Sequence, residues 1–188
     1  YKGIECKLYP NQKQAKMIQM TFGHTRFIWN QMLGMLNERY QNNPNLKMLS
    51  YSKLSSLIPQ LKREYPWLKD VDSVAIQCSV KTLSETFDRF FKGFCRYPKF
   101  KSRKQTLQSY LSTIRGENIR FNDNQRYVKL PKLGWVKCRM SVPHIENERI
   151  KSVTIKQKPS GKYTISVLVT SENQTLPKTH QTVGIDLG

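Results

Sequence analysis

Tyr97-Pro98-Lys99-Phe100-Lys101-Ser102-Arg103-Lys104 is the stretch on which the fold turns. Before it, apolar residues recur every three or four positions; after it, every two. Pro98 lacks an amide hydrogen and pushes Tyr97 toward extended backbone, so no helix runs through the pair. Upstream, Ala15, Ile18, Phe22, Trp29, Leu33, Leu36 and Tyr40 line one face of a long amphipathic helix over about 11–41. Pro10-Asn11 opens that helix and Asn42-Asn43-Pro44-Asn45 breaks it. A short helix is predicted around 51–62, disturbed by Pro59. A third runs over about 72–94, with Val74, Gln77, Val80, Leu83, Phe87, Phe90, Phe91 and Phe94 on or near one stripe, which reads as helical core for most of the aromatics.

Residues 2–9, ahead of these helices, alternate as a strand does. Downstream of the pivot, short β-type runs cover 107–114, 118–122, 126–130, 134–140, 150–157 and 162–170. Asn122-Asp123-Asn124 and Pro159-Ser160-Gly161 are among the turns between them. The expectation is an α+β chain: a helical domain inserted between a first strand and the rest of a small β-barrel. Residues 171–181 are polar and read as a linker. At 188 residues the chain suffices for one large or two small domains.

The formal net charge is +19, and it is unevenly spread. From Arg89 to Arg139 there are fourteen Lys and Arg against two acids, Glu117 and Asp123. Such a field favours polyanions, and neutralising phosphates makes binding salt-dependent. Cys6, Cys78, Cys95 and Cys138 form no C-x-x-C pair, so neither a zinc site nor a disulfide framework is expected, and a reducing cytoplasm fits. His24, His144 and His180 have no metal-ligand spacing. Trp29, Trp67 and Trp135 read as packing anchors. No apolar run approaches the roughly 18 residues of a membrane span.

In the pivot itself Lys99, Lys101, Arg103 and Lys104 surround Phe100. The cations suit phosphates, and Phe100 either stacks on an unpaired base or tucks into the core. Lys129, Lys132, Lys137 and Arg139 stand on alternating β positions, so a shared basic face is expected. Gln77 is either a surface or core amide or, in a major groove, a bidentate partner for adenine. At the end of the chain, Val183-Gly184-Ile185-Asp186-Leu187-Gly188 puts one carboxylate in an apolar, β-type run. An unpaired buried charge is costly, so such an Asp usually binds a metal or a proton. A strand end with Asp186 facing solvent is the competing reading.

Taken in order, several segments resemble the OrfB family of transposon-encoded proteins, TnpB, relatives of miniature type V CRISPR nucleases. They are Leu8-Tyr9-Pro10-Asn11, Arg26-Phe27-Ile28-Trp29-Asn30, Tyr51, Ala75-Ile76-Gln77, Phe90-Phe91, Tyr97 to Lys101, Leu130 to Lys137, Val153-Thr154-Ile155 and Gly184 to Gly188. The resemblance implies that residues 1–10 and 105–180 form a wedge β-barrel and residues 11–104 a helical recognition domain. Residues 181–188 would begin a RuvC nuclease domain of RNase H-like fold, the remainder lying outside this chain. Because the sequence begins at Tyr1 without Met, a few residues before it are expected as well.

It further implies an RNA-guided DNA endonuclease. Such a protein binds a guide RNA from the transposon end, reads a transposon-adjacent motif on double-stranded DNA, and cuts with Mg²⁺. Asp186 would be the first metal-binding carboxylate. A later Glu and Asp, and a four-cysteine zinc element, are absent from this sequence, so the chain alone is expected to be inactive. Tyr51, Ser55 and Gln77 match positions that touch the motif duplex in the family. Ser73 and Arg115 stand where relatives with other motifs differ. The implied assembly is one protein with one guide RNA, cytoplasmic and nucleoid-associated in a prokaryote, away from membranes. Two other readings predict different behaviour: a nuclease-dead, RNA-guided repressor descended from TnpB, and a plain basic module with no guide.

Overall fold

The structure, a computed structural model, describes residues 1–104, 107–140 and 145–171. Strand β1 (Lys2–Tyr9) comes first, then helices α1 (Gln12–Asn42), α2 (Tyr51–Ser56), α3 (Ile58–Glu64) and α4 (Ser73–Phe91). Strands β2 (Gln108–Thr113), β3 (Arg120–Phe121), β4 (Tyr127–Leu130), β5 (Gly134–Met140), β6 (Ile150–Gln157) and β7 (Tyr163–Val169) follow. The fold class is α+β, and the change of period at Tyr97-Pro98 is where helices give way to strands.

Helices α1, α2 and α4 begin where a side chain satisfies free amides. Asn11 caps α1 in a capping box: its side chain accepts from the Gln14 amide, while the Gln14 side chain accepts from the Asn11 amide. The helix runs unbroken for 31 residues, about 46 Å at 1.5 Å per residue. The helix expected over 51–62 is two: Leu57, in helical backbone, closes α2 and opens α3. Pro59 sits in the first turn of α3, where its missing N–H costs nothing to α3 but cannot extend α2. A 3-10 turn over Pro66–Lys69, not foreseen from the sequence, then leads to Asp72, which caps α4 through the Val74 amide at 2.9 Å. Gly93, at φ +75°, ends α4.

The seven strands form one antiparallel sheet in the order β2-β6-β7-β1-β5-β4-β3. The first strand in sequence is therefore central, flanked by β7 and β5. The sheet curls into a half-barrel; its edge strands β2 and β3 do not pair with each other. Two side-chain amides tie its β3–β4 hairpin to the segment ahead of β6. Asn147 accepts from the Phe121 amide at 2.8 Å and donates to the Phe121 carbonyl at 3.0 Å. Gln125 exchanges the same kind of pair with Ile145. Each mimics a strand partner and draws the segment ahead of β6 onto the β3–β4 hairpin.

Apolar residues fall into two clusters. One fills the inside of the curl with Ile4, Cys6, Leu8, Phe121, Val128, Val136, Val153 and Ile165, and also takes in Ile18, Phe22 and Ala75 from the helices. The other packs Ile28, Trp29, Leu33, Leu54, Leu68, Ile76, Leu83 and Phe87 among the helices. Helix α1 belongs to both: its first half covers the sheet and its second half packs on α4. Asp72 links the two again, because its second carboxylate oxygen accepts from Ser112 on β2.

Burial pushes the Cys6 thiol up to about 11 and the Cys138 thiol to about 12, so neither is a nucleophile at neutral pH. None of the described helices is long and apolar enough to cross a membrane. The strand expected over 183–188, Asp186 within it, the linker beyond Ser171, and His144 and His180 lie outside the described residues.

Candidate nucleic-acid interface

The basic pivot is a strap clamped along α1. The Trp29 indole donates to the Lys99 carbonyl at 3.0 Å. Asn30 donates to the Lys101 carbonyl at 3.0 Å and accepts from its amide at 2.8 Å. Lys101 then lays its ammonium over the Trp29 ring, 3.7 Å from the centroid. Burial there holds the Lys101 ammonium below the usual lysine range. Lys99, Arg103 and Lys104 stay exposed. Phe100 is 55% exposed, so the core alternative for that ring is excluded.

A cationic groove opens where the strap meets the sheet. A cavity of about 580 Å³ is lined by Lys16, Gln19, Arg26, Arg103 and the β6–β7 turn with Lys158. Arg26 bonds Gln108 at 3.0 Å. Its guanidinium is pushed down by burial and, to a lesser degree, by Arg103 beside it. Cations crowded in this way are stabilised by an anion between them. Of this set only Arg103 is legible in the sequence. Lys16 and Arg26 come from α1 and Lys158 from the β6–β7 turn far along the chain, and no local pattern marks them.

A second groove gathers part of the set expected to read DNA. Ser55 of α2 and Gln77 of α4 line a cavity of about 610 Å³ with Ile58, Pro59, Lys62, Arg63 and Lys69. Lys62 donates to the Ser73 hydroxyl at 2.9 Å, which brings Ser73 to its edge. Burial lowers the Lys62 pKa; Asp72 works against this, while Lys69 and Lys132 add to it. Tyr51 stands one turn before Ser55 on α2 and is 36% exposed. Arg115 lies apart, past the end of β2, in a turn where its amide donates to Asn118.

The β-strand cations divide. Lys129, Lys137 and Arg139 share the outer face of the sheet, alternating with the buried Val128, Leu130, Val136 and Cys138. Lys132 does not join them. It occupies the β4–β5 turn at φ +63° and approaches Lys62 instead. Trp135 departs from the anchor reading, whereas Trp67, though partly exposed, packs against His24, Phe27 and Tyr65. Trp29 is buried, but Trp67 and Trp135 are 38% and 42% exposed. Trp67 stacks on His24 at 4.6 Å. At the end of α4, Phe87 is core, whereas Phe91 and Phe94 are exposed. Among the described residues no group of three or more His, Cys, Asp or Glu is placed to hold a metal ion.

Fold and charge together define the class: an α+β scaffold whose helices and half-barrel frame cationic grooves. The comparisons narrow this. A helix-turn-helix domain family of OrfB/IS605 type matches residues 1–44; here those residues are β1 and the single helix α1. The chain is 30% identical over 188 residues to "Putative RNA-guided DNA endonuclease InsQ" of Escherichia coli K12, covering 98% of this chain and 44% of that protein. It is 27% identical to "Putative RNA-guided DNA endonuclease" of Streptomyces pristinaespiralis, covering 100% of this chain and 46% of that one. A third relative, "Virulence protein VsdF" of Salmonella dublin, is 29% identical over 110 residues, 53% of this chain and 92% of its own. The chain is a homologue of the TnpB/OrfB family along its whole length, and it spans under half the length of the two endonuclease relatives.

Proposed function

We propose that this chain is the RNA- and DNA-binding part of an RNA-guided DNA endonuclease of the TnpB type. The observation that carries the reading is the groove between α2, α3, the 3-10 turn and α4. It puts amide and hydroxyl groups, Gln77, Ser55 and Ser73, beside Lys62, Arg63 and Lys69. Groups that read base edges need neighbours that hold phosphates and fix register. Whole-length homology to relatives named as RNA-guided endonucleases supports the same reading.

In this scheme the groove takes the motif duplex. Gln77 and Ser55 meet base edges, Tyr51 and Ser73 flank them, and Arg115 contacts the duplex from the side. The exposed strap cations Lys99, Arg103 and Lys104, with Lys101 fixed over Trp29, hold backbone phosphates. The outer-sheet cations Lys129, Lys137 and Arg139 face the guide RNA, and Lys132 bridges toward the duplex groove. The residues recruited are predominantly cationic, so both ligands bind by charge first and by shape second.

Cutting belongs to the larger protein. Asp186 is proposed as the first of its metal-binding carboxylates, with partners supplied by the part of the relatives this chain does not span. Mg²⁺ there would supply water activation and stabilisation of the leaving oxygen. A zinc element, if the larger protein has one, belongs to that part too. This chain alone should bind without cutting, as one protein on one guide RNA, in the nucleoid.

The test is to co-express the chain with transposon-flanking DNA and sequence the RNA that copurifies. One discrete species ending at the transposon boundary is expected. A smear of cellular RNA would overturn guide binding by this part.

A further inference from the structure

Three aromatic side chains stand on the outer face of the half-barrel, where no core requires them. Tyr9 on β1 is 49% exposed, Tyr127 on β4 is 40% exposed and Trp135 on β5 is 42% exposed. Strand register makes them neighbours. Tyr9 and Tyr127 are both paired with Lys137, one from each side, and Trp135 is paired with Lys129. At strand spacings of about 4.8 Å and a rise of about 3.4 Å per residue, the backbone positions that carry the three rings are roughly 8 to 10 Å apart.

Cations fill the spaces between the rings. Lys137 lies between Tyr9 and Tyr127, Arg139 is paired with Lys7 on the next register position, and Lys129 abuts Trp135. Arg120, paired with Lys129 across β3 and β4, stacks its guanidinium over the Trp135 ring at 5.6 Å. The nearby acids are answered. Glu5 is met by Lys158 at 2.9 Å and Glu117 by Arg120 at 3.0 Å. The face therefore presents flat apolar rings in a positive field. An acidic protein surface would use the cations and leave the rings idle. A duplex would hide its base faces. Unpaired nucleotides use both, bases on rings and phosphates on Lys or Arg.

We propose that this outer face of β1, β5 and β4 is a stacking platform for an unpaired segment of RNA, with Tyr9, Tyr127 and Trp135 taking bases and Lys7, Lys129, Lys137 and Arg139 taking the phosphates between them. The choice of RNA rests on the guide-RNA reading above, since single-stranded RNA is commonly held by bases splayed onto aromatic side chains. The platform is separate from the α2–α4 groove, so it leaves the duplex site free.

The test measures affinity of the 188-residue chain for a 12-nucleotide uridine RNA, the matching DNA strand and a 12-base-pair duplex. Three variants are compared: Trp135→Leu, the double Tyr9→Leu/Tyr127→Leu, and Lys129→Gln/Lys137→Gln. Thermal unfolding checks that each folds, and the exposed positions make this the expectation. Trp135→Leu should weaken the single-stranded RNA about tenfold and remove the quenching of tryptophan emission on binding. The double tyrosine variant should weaken it by at least as much, with duplex affinity nearly unchanged for both. If only the lysine variant weakens RNA, stacking is overturned while the basic-face reading stands. If no variant matters, both fail. Tighter binding of the DNA strand than of the RNA would overturn the assignment to RNA.

Discussion

His24 and Lys132 each hold an unfavourable state that the surroundings enforce. His24 is buried against Trp67, and its Nδ1 has no hydrogen-bond partner among the described residues. Burial lowers its pKa below the ordinary 6.5, with Asp70 opposing. The unfolded chain therefore takes up a proton near 6.5 that the folded chain refuses, so His24 destabilises the fold as pH falls below that value. Tm should drop between about pH 7 and about pH 5, and the drop should shrink in His24→Phe, which keeps the stack on Trp67 without the titrating nitrogen. Thermal unfolding across that range checks it. Lys132 follows Pro131 at φ +63°, the third position of a turn closed by the Leu133 amide on the Leu130 carbonyl. Glycine suits that backbone better than lysine, so Lys132→Gly should stabilise the fold by about 1 kcal/mol in denaturant unfolding. The same change removes a cation near Lys62 and should weaken duplex binding severalfold.

The strap and α1 behave as one element. Asn30 makes both polar contacts to the Lys101 backbone. Asn30→Ala leaves those partly buried groups unpaired, which should cost about 2 kcal/mol. Trypsin should then cut sooner among Lys99, Lys101, Arg103 and Lys104, and nucleic-acid affinity should fall without loss of any cation. Time-resolved proteolysis beside a binding isotherm separates this from a simple charge effect. The cationic groove and the strap share α1: Lys16, Gln19 and Arg26 line the groove while Trp29 and Asn30 hold the strap. Local periodicity locates that helix, but it cannot say which of its polar residues face a cavity, because the opposing wall comes from the β6–β7 turn more than a hundred residues later.

At the scale of the molecule, charge sets the conditions under which anything else can be read. If roughly six to ten phosphates are neutralised, affinity should fall about 10³- to 10⁵-fold between about 50 and 200 mM salt. A plot of log K against log salt checks this. A slope near that of one or two contacts would mean that the cations are solvated surface. The curled sheet and the helices meet at Asp72 and Ser112, at Gln14 with the Leu133 and Trp135 carbonyls, and at Gln19 with Gln157 and Tyr163. Polar ties of this kind fasten the sheet to the helices, and the one between Gln19 and Gln157 joins two walls of the cationic groove.

The sequence by itself determined the order of elements. Side-chain spacing, caps and Pro98 act within a few residues, so β1, α1 and all six later strands fall within a residue or two of where their periodicity puts them, while α4 stops at Phe91, three residues before its apolar stripe does. It determined the cationic character as well, since charge needs no fold. The tertiary structure decided which residues share a surface. Strand register sets Tyr9 and Tyr127 on either side of Lys137 and turns Trp135 outward, the strap's ties to α1 leave Phe100 exposed, and the β4–β5 turn sends Lys132 to the helices instead of its strand neighbours. It also decided how the β3–β4 hairpin meets the segment ahead of β6, because Asn147 and Gln125 act across gaps of twenty residues or more. Those contacts depend on positions that no local pattern carries.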